Sequence, residues 1–320
     1  MTKSAKRKIA ALFLILIGSI LLALTKGSVR LSLSELFLQE NLPILYLRLA
    51  RILMASLAGS GLAVSGVALQ AVLRNPLAEP YILGTSSGAG LGAVIAIIIG
   101  ISAAYLPILA FLGAILTIIL VYNMARQGNK VGVQSLILSG VIVSIALSAI
   151  IVFLISVSSN EALHGMMWWL WGNLQVYDIR LLFIVGFIVV LGVSAIFILA
   201  QDLNAISIGE EEAVHLGINT EVIKKTLFFI TALITAGLVS ICGIIGFVGL
   251  IVPHMMRLLV GPNHKVLIPS TCLAAAIFMI LCDMLSRTIM PPLEIPIGVI
   301  TALVGAPIFM FLLKRKQRVR

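Results

Sequence analysis

Apolar residues in this chain run in long blocks that no charged side chain interrupts. The blocks cover 9–25, 52–73, 80–125, 131–160, 181–201, 226–256, 266–282 and 295–313. An ionised group at the centre of a bilayer is costly, and about 20 residues make one helical crossing, so each block predicts at least one transmembrane helix. Block 80–125 is more than twice that length and predicts two, with a break around Gly100 to Pro107. Block 226–256 is too long for one span and short for two. Gly243, Gly246, Gly249 and Pro253 interrupt it, so it predicts a full helix followed by a short or broken one. The pattern as a whole predicts a single all-α polytopic domain over residues 1–320, with ten spans.

Composition agrees. Of 320 residues, 61% are hydrophobic and only 11% charged, with a mean hydropathy of +1.18. A soluble domain carries about a quarter charged residues, so a soluble enzyme or nucleic-acid-binding domain is excluded. The net charge of +10 sits in short clusters between the blocks. Lys3–Lys8, Lys314–Arg320, Arg74, Arg126, Lys130, Lys224, Lys225, Arg257 and Lys265 fall on one face; Lys26, Arg30, Arg48, Arg51, Arg180 and Arg287 fall on the other. Cytoplasmic loops carry the excess of lysine and arginine, which places both termini in the cytoplasm. The first block has no small-residue cleavage site after it and reads as an uncleaved first span. Cys242, Cys272 and Cys282 lie inside apolar blocks without metal-ligand spacing and read as small hydrophobes.

The second and third spans are rich in small residues, from Ala55 through Gly59, Gly61, Ser65 and Gly66 to Ala68, and again through Gly84–Gly92. In lipid, such residues let helix backbones approach closely. Tight packing explains them; so does a helix that slides against its neighbours. Glu79, Glu161, Asp178, Asp202, Asp283 and Glu294 all stand near block ends. Ion-coupled carriers rely on ionisable groups within the membrane, so this distribution argues against secondary transport. There is no GxxxxGK[ST] phosphate loop, and no constellation for covalent or acid–base catalysis.

Three features are candidates for function. The longest connection on the basic face, 202–225, holds Ser207 followed three residues later by Glu210, which fits a capping box, and Gly217, which suits a left-handed helix end. A short amphipathic helix is expected there, exposing glutamate and histidine and keeping Ala213, Val214 and Leu216 for a partner. On the opposite face Arg48 and Arg51 share a helix side, and Arg287 stands four residues after Asp283, a spacing that permits an intrahelical pair. These arginines fit either headgroup snorkelling or docking of an acidic partner. Trp168, Trp169 and Trp171 fit an interfacial aromatic belt, with Ser159 as a candidate cap for a short helix before them.

These motifs carry a resemblance. Arg48-Leu-Ala-Arg51, Ser65-Gly-Val-Ala-Leu-Gln70, Arg74-Asn-Pro-Leu-Ala-Glu-Pro80 and Leu83-Gly-Thr-Ser-Ser-Gly-Ala-Gly90 are followed by Gly246-Phe-Val-Gly-Leu-Ile-Val-Pro-His254, Arg257, Asp283, Arg287, Glu294-Ile-Pro-Ile-Gly-Val299 and Gly305-Ala-Pro307. In this order, over nearly the whole chain, they resemble the FecCD-type permeases of ABC importers for iron–siderophores, haem and vitamin B12. Ala50, where the family commonly has proline, and Asn173, where a small-residue motif with serine is common, depart from the pattern.

The resemblance implies a type II ABC importer permease of ten transmembrane helices that works as a homodimer in a bacterial or archaeal cell (inner) membrane. It implies two separate ATP-binding cassette subunits, which would hold ATP and Mg²⁺, and an extracytoplasmic substrate-binding protein. No cofactor on this chain and no enzymatic activity of its own are implied. Gly209, Glu210, Glu211, Glu212, Ala213, His215, Leu216 and Gly217 look like the helix that couples to the ATPase. Arg48, Arg51 and Arg287 look like the arginines that meet glutamates of the binding protein. Leu138, Ser139, Ser144, Ser148, Ser156, Ser159 and Asn160 look like the pore-lining and gating region. A ferric siderophore is the expected cargo, with haem, corrinoid or an oxyanion such as molybdate as alternatives; an ion-coupled carrier is the alternative of another class.

Overall fold

The computed structural model describes residues 3–29, 31–128 and 130–317. Arg30, Arg318 and Arg320, among the charges used to assign faces, lie outside the described residues. The helices are, in order, α1 (Lys3–Thr25), α2 (Leu33–Leu36), α3 (Leu42–Val72), α4 (Thr85–Ile98), α5 (Leu106–Ala125), α6 (Val133–Ser156), α7 (Asn160–Leu170), α8 (Ile179–Ile198), α9 (Ala200–Ile208), α10 (Glu210–His215), α11 (Thr220–Cys242), α12 (Val248–Val260), α13 (His264–Thr288) and α14 (Ile297–Gln317). Between α5 and α6 a two-residue strand pair, β1 (Arg126–Gln127) and β2 (Lys130–Val131), makes a tight antiparallel turn.

Among the described residues, seven helical stretches are long and apolar enough to cross a membrane: α1, residues Gln39–Val72 ending in α3, α5, α6, α8, α11 and α13. Three shorter apolar helices accompany them: α4, α12 and the Ile297–Leu312 part of α14. Both expected breaks are present. Block 80–125 divides between α4 and α5, past Gly100 at positive φ and with a proline in the first turn of α5. Block 226–256 divides between α11 and α12, across residues 243–247.

α3 is the axis of the molecule. It is buried almost continuously from Met54 to Val72 and packs on α8, α11, α12 and α13. Small residues make those approaches possible. A Cβ built on Gly66 would stand 1.9 Å from the carbonyl oxygen of Gly249, so α3 and α12 touch backbone to backbone. α4 and α5 meet in the same way, a Cβ on Gly113 falling 2.3 Å from the Gly88 oxygen. Such contacts gain dispersion energy that no larger side chain permits. On the outside, α5, α6 and α8 present Leu116, Ile145, Phe183 and Phe187 uncovered, as expected for surfaces that face hydrocarbon.

The charges gather at two ends. Lys8 donates to the Leu259 carbonyl at 2.6 Å, bringing the basic start of α1 to the end of α12. Arg74 and Arg257 line one cavity at that same end. Arg48, Arg51 and Arg287 share a different cavity, beside the turn that follows α1. These six basic residues divide between the two ends as the sequence grouped them.

Candidate functional site

The three arginines read as an outward docking set come together, but inside the protein. Arg48, Arg51 and Arg287 are 5%, 8% and 5% exposed. Snorkelling would leave the guanidiniums in solvent; instead most of their donors are taken up by this chain. Arg48 donates to the carbonyl oxygens of Leu24 and, at 2.6 Å, Val29, closing the turn after α1. Arg51 donates from Nε to Asp283 Oδ1 at 2.6 Å and from Nη1 to Glu294 Oε2 at 2.8 Å. Arg287 donates from Nε to Asp283 Oδ2 at 3.0 Å, realising the spacing seen in the sequence. Gln175 adds a contact to Glu294 at 3.4 Å. Two of the three cations, Arg51 and Arg287, therefore meet the two carboxylates, and Arg287 Nη2 is left buried without a partner. A cavity of about 430 Å³ opens beside them, lined also by Ser28, Val29, Tyr177 and Glu294.

At the other end, α9 and α10 form a bent pair. Ala205 and Ile206 of α9 pack on Ala213 of α10, with Ile218 and Ile223 alongside. The expected capping box is absent. α9 continues through Ser207, whose hydroxyl donates to the Leu203 carbonyl at 2.7 Å, because Leu203 and Ile206 keep that turn helical in order to stay buried. Gly209, in extended conformation, caps α10 instead. The Glu210 carboxylate turns to Lys224 Nζ at 2.5 Å. Gly217 does take the left-handed conformation, at φ 81°. Of the residues expected to meet a partner, Ala213 is fully buried within the chain. Val214 and Leu216 are exposed, joined by Ile208, and Glu211, Glu212 and His215 project beside them. An acidic cleft bounded by Glu210, Glu211 and Glu221 lies against this helix.

The residues suggested as pore and gate are not brought to one surface. Ser139 is buried in the bundle, and Ser144 points toward Gly84. Leu138, Ser148 and Ser156 lie on the exposed side of α6. Ser159 caps α7, accepting from Ala162 N at 3.4 Å, with Asn160 as the first residue of that helix. Trp168 and Trp169 are half-buried on α7, and the Trp171 and Gly172 carbonyls accept from Gly298 and Ile297 to start α14.

Glu79, noted in the sequence only as a block-end carboxylate, and Tyr81, not noted there, hold the break between α11 and α12. Glu79 Oε1 accepts from Phe247 N at 2.8 Å, and the Tyr81 hydroxyl accepts from Ile245 N at 3.2 Å. Phe247 sits at φ 71°, uncommon for a residue with a side chain. The available signal was a lone carboxylate set directly before an apolar block, beside proline.

Comparison with known proteins fits this geometry. The pattern of the FecCD transport family matches residues 14–315. The cobalamin import system permease protein BtuC of Halobacterium salinarum is 39% identical over 85% of this chain and 73% of its own length. The hemin transport system permease protein HmuU of Yersinia pestis is 33% identical, covering 86% of this chain and 84% of its own. A solved structure described as an inward-facing conformation of a transporter assigned to the metal-chelate ABC type superposes with a TM-score of 0.88. It is 35% identical and covers 97% of this chain and 99% of its own.

Proposed function

This chain belongs to the FecCD transport family, and from that membership we propose that it is the permease subunit of an ATP-driven, binding-protein-dependent importer whose cargo is a ferric siderophore. It works as a homodimer of ten-span subunits with both termini in the cytoplasm. A separate pair of ATP-binding cassette subunits hydrolyses ATP with Mg²⁺. One observation carries the reading: a membrane bundle has an arginine-lined cavity at one end and a protruding acidic and apolar helix at the other.

A loaded binding protein presents carboxylates to the arginine end, at the cavity that Arg48, Arg51 and Arg287 line. At the far end Ile208, Val214 and Leu216 seat in the ATPase, and closure of that subunit moves α10 with α9. α9 packs on α3 and α13, which gives the motion a rigid route into the bundle. The cargo then passes between two copies of the chain. Import of cobalamin and hemin by relatives supports a bulky chelate as the cargo class.

Co-purification tests the reading. Expressed with the ATPase from the same source and extracted in mild detergent, the chain is expected as a two-plus-two assembly. A stable monomer or dimer that ignores the ATPase would sink it.

A further inference from the structure

The end of the bundle that carries α9 holds a cavity of about 370 Å³ that the transport cycle above does not use. Gln70, Arg74, Ser207, Arg257 and His264 line it. Its polar groups are mismatched. Neither guanidinium has a hydrogen-bonding or ionic partner among the described residues, and no carboxylate lines the cavity. Arg74 stands at the left-handed position that closes α3, at φ 48°, where glycine is usual. The motif around it is complete, with Arg74 N on the Ala71 carbonyl and Asn75 N on the Gln70 carbonyl. A long cationic side chain is thus held in a disfavoured conformation at the mouth of the cavity.

The buried liners have the opposite deficit. His264 is 2% exposed, and its Nδ1 lies 2.8 Å from Asn204 Oδ1. That oxygen is an acceptor, so Nδ1 carries the proton and Nε2 keeps a lone pair, which finds no donor. Gln70, 3% exposed, donates through Nε2 to the Ala78 and Gly249 carbonyls, and its Oε1 accepts nothing. One cavity is thus lined by two arginines without a protein partner and by two residues that each keep an unfilled acceptor. Chloride, sulfate or a carboxylate would satisfy the arginines alone. A phosphate group that keeps a P–OH satisfies both, accepting from Arg74 and Arg257 and donating to His264 Nε2 or Gln70 Oε1.

We propose that this cavity is a binding site for a protonated phosphate group, either inorganic phosphate or the phosphomonoester headgroup of phosphatidic acid. The occupant ties the end of α3 to α9, α12 and the start of α13, two residues before the Gly209 bend. Binding itself does not depend on the transporter reading, and the test uses no ATPase or binding protein.

The test follows thermal unfolding of the purified full chain by tryptophan fluorescence in phosphate, sulfate or chloride at equal ionic strength. Phosphate is expected to raise the midpoint with the logarithm of its concentration, and sulfate much less. Arg257→Gln is expected to weaken half-saturation on the order of tenfold or more. Arg74→Gly relieves the left-handed strain, so it folds at least as well as the parent while losing the phosphate response. Lys225→Gln, at the same end but outside the cavity, is expected to keep it. An equal response to sulfate, or a phosphate response that survives both Arg257→Gln and Arg74→Gly, overturns the proposal. Micelles doped with phosphatidic acid or phosphatidylcholine separate the sources. If phosphatidic acid alone abolishes the response to added phosphate, the site takes the lipid headgroup; if the response persists, it takes the free ion. Either result supports the site.

Discussion

Arg51 on α3 and Asp283 on α13 meet at 2.6 Å, Nε to Oδ1, and the same carboxylate holds Arg287 through its other oxygen. One buried aspartate thus joins two arginines and two helices, with Glu294 completing the coordination of Arg51. The cluster is structural before it is anything else, because removing one member strands a charge in a site with little water.

Asp283→Ala removes the shared acceptor and leaves two buried guanidiniums facing each other. Breaking a buried ion pair from one side costs about 3–5 kcal/mol. The variant is expected to give a lower unfolding midpoint and a poorer yield of monodisperse protein in detergent. A midpoint equal to the parent's would show that water fills the gap.

Arg287→Gln separates docking from folding. Its Nη2 is the free donor of the cluster, and a charge-assisted hydrogen bond to a partner carboxylate contributes about 1.5–3 kcal/mol. Stimulation of ATP hydrolysis by the loaded binding protein is expected to need at least about tenfold more of it, with the ATPase still attached. Arg48→Gln loses only its ties to the Leu24 and Val29 carbonyls, and is expected to leave that half-saturation unchanged. Equal losses in both variants would reject Arg287 as the docking contact.

For coupling, Leu216→Asp combined with Glu211→Arg alters side chains that already face solvent. The fold is expected to survive while the ATPase dissociates on size-exclusion chromatography. Ala213→Asp buries a charge against Ile206 and is expected to unfold the α9–α10 pair even without the ATPase. Retained stoichiometric ATPase on the double variant would remove α10 from the interface.

Gly66→Ala places a methyl group 1.9 Å from the Gly249 carbonyl oxygen. α3 and α12 must separate, and overpacking of this kind costs about 1–3 kcal/mol or more. The midpoint is expected to fall, whereas Gly18→Ala on α1, where a Cβ meets nothing within 4 Å, is expected to be silent.

Outside the bundle, Ser32 and Glu35 form a complete capping box at the start of α2. The bond from Ser32 N, and then that to the Ser32 side chain, hold the Glu35 carboxylate below its ordinary value of 4.5. A lowered folded-state value means the contribution is present above that pH and is lost as pH falls through the folded value. Amide exchange at residues 33–36 is expected to accelerate on acidification, and Glu35→Gln to flatten that dependence.

Much of this was legible in the residues. Block lengths located the breaks at Gly100 and in 243–247, because a bilayer imposes a length on every apolar run. The spacing of Asp283 and Arg287 announced their pair, and Gly217 its left-handed turn. What stayed hidden depends on contacts between distant residues. Nothing near Arg51 in sequence shows that Asp283 and Glu294 will hold it, so the ion pairs inside the arginine set do not show. Ser207 and Glu210 match a cap locally, but burial of Leu203 and Ile206 overrides that preference. Which side of α6 faces neighbours is likewise decided by packing, so its serines read as one set and fold onto two.

α12 has 13 residues and so reaches about 20 Å, roughly two thirds of a hydrocarbon core. Before it runs non-helical backbone at 243–247, where the Phe247 amide is held by Glu79 and the Ile245 amide by Tyr81. Peptide groups of that kind tolerate no contact with lipid. The joint must therefore stay sealed in every state the protein visits, like a bulkhead. Whatever rearranges during a cycle has to pivot around it.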